Sequence, residues 1–121
     1  MGPSPMALDG SDLYVGGAFG ETGDGSLTNL GNIARYDTAA GTWHALPNQG
    51  FNNTVLALVI SSSNLYAGGY FTETDDESLT NLGCVARYDT TNSTWYALSN
   101  QGLDGGPLPY QVCLPRLGFT Q

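Results

Sequence analysis

Apolar residues in this chain come in short bursts rather than helical stripes. The plainest is Val55-Leu56-Ala57-Leu58-Val59-Ile60, bounded by Asn52-Asn53 on one side and Ser61-Ser62-Ser63 on the other. A continuous apolar run this short, rich in Val and flanked by turn residues, predicts a strand buried on both faces. A second strand is expected over Leu65 to Phe71, where Gly68-Gly69 removes side chains and lets another backbone approach closely. Val85 to Asp89 alternates, with Val85 and Arg87 on one face and Ala86 and Tyr88 on the other, and Thr94 to Leu98 carries Trp95. The first half of the chain gives the same series at Met6 to Leu8, Leu13 to Phe19, Ile33 to Asp37 and Thr42 to Leu46, its opening strand interrupted by Asp9-Gly10. Gly41 and Asn92 stand where tight hairpins need a positive φ. No sustained amphipathic stretch at helical spacing competes, so the chain reads as all-β.

The two series are one motif written twice, 52 residues apart. Leu13-Tyr14-Val15-Gly16-Gly17 returns as Leu65-Tyr66-Ala67-Gly68-Gly69, Ser26 to Gly31 (SLTNLG) returns unchanged as Ser78 to Gly83, and Ala34 to Thr38 (ARYDT) returns as Ala86 to Thr90. Trp43 maps to Trp95, and Asn48-Gln49-Gly50 to Asn100-Gln101-Gly102. Self-similarity at this period marks supersecondary units that bury their faces against one another.

Four antiparallel strands per unit is the pattern of a propeller blade. Each unit resembles a kelch repeat: a glycine doublet ends an apolar strand, and a Tyr and a Trp follow at fixed spacing. Gly16, Gly17, Tyr36 and Trp43 meet the pattern once, and Gly68, Gly69, Tyr88 and Trp95 meet it again. The wording LYVGG…ARYD…TW is also similar to repeats in secreted bacterial propeller proteins and in fungal cortical markers of cell polarity. The resemblance implies two four-stranded antiparallel β-propeller blades, 6–50 and 55–102, in a partial propeller. Residues 103–121 are expected to be a degenerate start of a third unit or a tail. Stacked repeats need about three or more units, and propellers about four to eight blades. Further blades are therefore expected, from a longer chain or from homo-oligomerisation.

Composition narrows the partners. Arg35, Arg87 and Arg116 are the only basic residues against 11 acidic ones, a formal net charge of -8. Such a surface repels phosphate backbones and anionic headgroups, so no nucleic-acid partner is expected. Nor is membrane insertion, since no apolar run approaches a spanning length. The stretch Met1 to Met6 lacks a charged n-region and an apolar h-region, so no signal peptide is read there. Cys84 and Cys113 could form one bridge in an oxidising compartment, but their spacing does not decide it.

Candidate chemistry is sparse. Asp75, Asp76 and Glu77 cluster in the long acidic loop 72–83 and are the candidates for calcium, which favours oxygen ligands, although no EF-hand spacing is present. A solvated loop at a rim, with Leu27 and Leu30 anchoring its counterpart in the first copy, is the better reading. Arg35 and Asp37, like Arg87 and Asp89, share a strand face. Because the pair recurs, it is expected to be a structural ladder between neighbouring blades rather than a ligand site. Tyr36, Trp43, Tyr88 and Trp95 are expected to pack between blades. His44 is the only histidine, and no nucleophile elbow or phosphate-binding glycine loop accompanies it. Asn52-Asn53-Thr54 and Asn92-Ser93-Thr94 match the glycosylation sequon.

The reading is a non-enzymatic scaffold without cofactors, extracellular or surface-associated, that binds a protein or a glycan through rim loops including Glu73 to Glu77. The alternatives are a blade module of a larger enzyme whose catalytic residues lie elsewhere, or a subunit that closes a ring by self-assembly.

Overall fold

The computed structural model describes residues 5–103. Two four-stranded antiparallel sheets account for nearly all regular structure, each a simple meander in chain order. Sheet 1 contains β1 (Met6–Asp9), β2 (Asp12–Gly16), β3 (Ile33–Asp37) and β4 (Thr42–Ala45). Sheet 2 contains β5 (Val55–Ser61), β6 (Asn64–Gly69), β7 (Val85–Asp89) and β8 (Thr94–Ala97). Each sheet ends in a single tight turn, Pro47–Gln49 or Ser99–Gln101.

Strands β3 and β7 fall where the alternation predicts. The second strand of each copy is shorter than expected, because the backbone leaves the ladder at the glycine doublet. In sheet 1 it turns to meet the long connector: Gly17 N donates to Asn32 O, and Phe19 N to the Asn32 side-chain oxygen. The hairpin after β3 takes its positive φ at Gly41, as predicted, but its counterpart after β7 uses Ser93 rather than Asn92. Ser93 is the residue 52 positions after Gly41, so the turn keeps its shape and the sequence adapts to it.

Register fixes which side chains share a face. In sheet 2, Ile60, Leu65, Tyr88 and Trp95 form one cross-strand row, and Leu58, Ala67 and Ala86 form the next. These residues are buried, Ile60 partly, and pack toward the side of sheet 1 that carries Tyr14. Tyr14 meets Tyr88 edge to face at 6.2 Å. The hydrophobic core is therefore the junction between the sheets.

Strand β5 corrects one expectation. Only Val55 and Leu58 are buried; Leu56 and Val59 are 50% and 58% exposed. A register shift between Val55 and Ala57 turns both buried residues inward. Sheet 1 covers that side alone, so β5 is buried on one face, not two. Val55 sits against Gly16, where a Cβ would lie 2.6 Å from the valine Cγ1. That contact explains the first glycine of the first doublet: it is where one sheet touches the next.

Candidate functional site

The segment after sheet 1 meets the loop of sheet 2 at a junction of backbone hydrogen bonds, side-chain clasps and stacked rings. Asn48 and Gln49 both take positive φ, as does Gly50 at 66°. This path carries Phe51 away from its own sheet. It is held by Phe51 N, which donates to Gly31 O at 2.8 Å, and by the Asn32 amide, which donates to Phe51 O. Gly31 and the Gly50 turn lie so close that a Cβ on Gly31 would strike the backbone of Gln49 and Phe51, and a Cβ on Gly50 the backbone of Leu30 and Gly31. The SLTNLG motif thus packs on its own unit. Leu30 and its counterpart Leu82 are the buried anchors, and Leu27 is only half-buried.

Rooted there, Phe51 projects into sheet 2. Its ring stacks on Phe71 at 3.9 Å and 13°, and meets Trp95 at 4.6 Å and 64°. It is fully buried, as is Phe71. Burying such a ring is worth about 2–3 kcal/mol, and the two ring contacts add about 1 kcal/mol each. A short bridge between Phe51 and Thr74 joins the segment to the acidic loop, with Asn52 N donating to Glu73 O and Asp75 N to Gly50 O.

A polar clasp flanks the ring. Asn48 Nδ2 donates to Asp76 Oδ2 at 3.2 Å and to Ser78 Oγ at 2.6 Å. Asp76 Oδ1 also accepts from Thr74 Oγ1, Ser78 N and Ser78 Oγ. Together the Ser78, Thr74 and Asn48 donors pull the Asp76 carboxyl down to about 2. Asn52 makes a second clasp, accepting from Thr72 N and donating to Thr72 Oγ1. Exposed hydrogen bonds contribute about 1 kcal/mol net each, so the buried rings supply most of the binding and the clasps set its register.

Asp75, Asp76 and Glu77 are not brought together as a cation site. Among the described residues no three acidic, Cys or His side chains form a metal-ligand group, and Asp76 serves as the acceptor of a turn. The loop holding Glu73 to Glu77 is not a free rim; it docks on the segment that follows sheet 1.

The Arg–Asp ladder between neighbours is also corrected. Arg35 pairs with Asp12 at 2.8 Å inside sheet 1, and Arg87 donates to Asn64, the residue equivalent to Asp12, inside sheet 2. Asp37 accepts from Ala39 N and Ala40 N, and Asp89 from Thr91 N and Asn92 N, each closing its own hairpin. Those donors hold the Asp37 carboxyl below the ordinary carboxylate range.

The aromatic set divides. Trp95 and Tyr88 are buried between the sheets, 4.8 Å apart. Trp43 is 41% exposed, tilted against half-buried Tyr36 on the outer side of sheet 1, which corrects its expected burial. Gly69 packs so tightly on Thr54 and Val55 that no Cβ fits; at Gly68 the nearest atom, Cys84 O, is in ordinary contact. Gly17 O accepts from Val55 N. His44 shares a 3.0 Å hydrogen bond with Thr42. Cys84 is disulfide-bonded, while Cys113, Arg116 and residues 104–121 of the expected third unit lie outside the described residues.

Phe51 is the functional residue that motif reading missed. Its signal was present: an apolar residue directly after Asn-Gln-Gly in both copies, Phe51 and Leu103.

No family model matches the chain. It is 34% identical over 86 residues to the polarized growth protein rax2 of Schizosaccharomyces pombe, a match over 71% of this chain. It is 36% identical over 100 residues to the polarized growth protein L1 of a Phoma species, over 83% of this chain. The similarity is to polarized growth proteins. In both cases the chain spans only 7% of the relative's length. Among the described residues no helix is long and apolar enough to cross a membrane.

Proposed function

We propose that the chain supplies two successive kelch-like blades of a β-propeller, acting as a non-enzymatic binding scaffold at the cell surface in polarized growth. The observation that carries this reading is where the similarity falls. It covers most of this chain, in which Arg35 is engaged by Asp12, Asp37 and Asp89 by hairpins, and Asp76 by a turn. What remains for a partner is a broad surface of strands and loops. Four-stranded meanders stacked face to face at a fixed period support the blade assignment. The disulfide at Cys84 supports an oxidising, extracellular setting.

A segment exchange tests the role. Residues 6–102 would replace the matching stretch of the Schizosaccharomyces pombe relative, and growth polarity would be scored against wild type and against a strain lacking the stretch. Retained polarity is the expected result. Growth indistinguishable from the deletion strain would overturn the proposal.

A further inference from the structure

The socket that receives Phe51 in sheet 2 is present a second time, in sheet 1, and there no described residue fills it. A cavity of about 310 Å³ is lined by Val15, Phe19, Leu30, Ala34 and Trp43, with Glu21 to Gly23 at its edge. Advanced by 52 positions, these apolar residues are Ala67, Phe71, Leu82, Ala86 and Trp95. All five are buried around Phe51 or in the core continuous with it. The reciprocal half is also present. Leu103, the counterpart of Phe51, is 64% exposed, although its N–H donates to Gly83 O at 2.8 Å as Phe51 N does to Gly31 O. The knob is therefore rooted but unburied.

The flanking features repeat as well. Asn100 has φ 60°, matching Asn48 at 64°, so the asparagine recurs in the same backbone conformation. Asp24 accepts from Thr22 and from Ser26, as Asp76 does from Thr74 and Ser78, but among the described residues no asparagine clasps it. On the outer face of sheet 2, Tyr66 is 38% exposed where its counterpart Tyr14 is 3% exposed. Residue changes at the two halves run in compensating directions. Val15 narrows the socket relative to Ala67, and Leu103 is smaller than Phe51.

We propose that this chain associates head to tail with a second copy of itself, Leu103 of one molecule entering the Phe19–Trp43 socket of the next. The occupant is a second copy because this chain carries both the knob and the socket, and the two match the internal Phe51 junction residue for residue at the 52-residue shift. The internal junction between the two sheets shows how they fit. Such a contact is heterologous, so it propagates until the rotation closes a ring or leaves an open array. The inference rests on the repeat stacking invoked above, but not on any role in polarity, so the segment exchange could succeed or fail independently of it.

The test uses two complementary variants. Leu103→Asp removes the knob and Trp43→Asp spoils the socket; both positions are exposed, and far-UV circular dichroism checks that each variant folds. Sedimentation velocity from about 1 µM to about 1 mM spans weak to moderate affinities. The wild type is expected to grow in steps of one chain mass, while each variant alone associates at least about tenfold more weakly. Mixed in equal amounts, the variants are expected to give a discrete dimer and nothing larger, because one good knob and one good socket remain. In a Trp95→Phe background, Trp43 emission should shift to the blue as the assembly forms. A folded wild type that stays monomeric to the highest concentration would overturn the proposal. So would variants that associate like wild type, or a mixture that forms no dimer.

Discussion

Trp43 and Trp95 occupy the same position in the repeat, yet one is 41% and the other 4% exposed. The residue type is set by the unit; the burial is set by whether a neighbour lies in front of it. Truncation should therefore separate them. Trp95→Ala is expected to cost about 3–5 kcal/mol by urea unfolding, and Trp43→Ala under about 1 kcal/mol. Equal losses would contradict the assignment.

Two ionisable groups at the junction carry opposite pH signatures. Burial, then the nearby Asp12, pushes the Tyr14 hydroxyl up to about 12 from 10.0. Its contribution is complete below pH 10 and is lost as pH rises toward 12, because the unfolded chain ionises first. Tyr14→Phe should flatten that alkaline decline in a stability–pH profile. Asp76 has the reverse sign. Held at about 2 against 3.8, it stabilises above pH 4 and that stabilisation is lost as pH falls toward 2. Asp76→Asn should flatten the acid limb in that window, with Asp24 and Asp37, also lowered, sustaining the remainder.

At the scale of elements, the strands were largely legible because their determinants are local. Ile33–Asp37 and Val85–Asp89 alternate visibly, and a turn residue, Gly41, marks the hairpin between β3 and β4. The two-sided burial expected for β5 failed for a different reason. Val55 to Ile60 is apolar throughout, but whether its second face is covered depends on a neighbour, not on the strand's own residues. The connectors were the least legible elements. They are held by backbone hydrogen bonds and by the close approach of Gly31 and Gly50, contacts that leave only a glycine in the sequence as their trace. Gly31→Ala combines a φ of 65° with a collision against the Gln49 carbonyl, and should cost at least about 2 kcal/mol. Gly20→Ala, with open space around it, should change thermal stability little; a similar drop at both sites would contradict the close-packing account.

For the molecule as a whole, the repeat made the two sheets predictable, while the joint between them was not. The candidate site inferred from charge and aromatic content (Asp75 to Glu77, Arg35, Trp43) dissolved into turns, an in-sheet ion pair and an exposed ring. The site found instead is apolar: Phe51, rooted in one unit and buried in the next. Its partners Phe71 and Trp95 are 20 and 44 residues further along, so no local pattern links them. If this ring couples the sheets, the two should unfold as one. Single-tryptophan variants make that measurable, with Trp43 reporting on sheet 1 and Trp95 on sheet 2 during urea unfolding. With Phe51 present, both probes should give one coincident transition, and Phe51→Ala should lower stability by about 3–5 kcal/mol. Separate transitions in the presence of Phe51, or a loss below about 1 kcal/mol on its removal, would contradict the account.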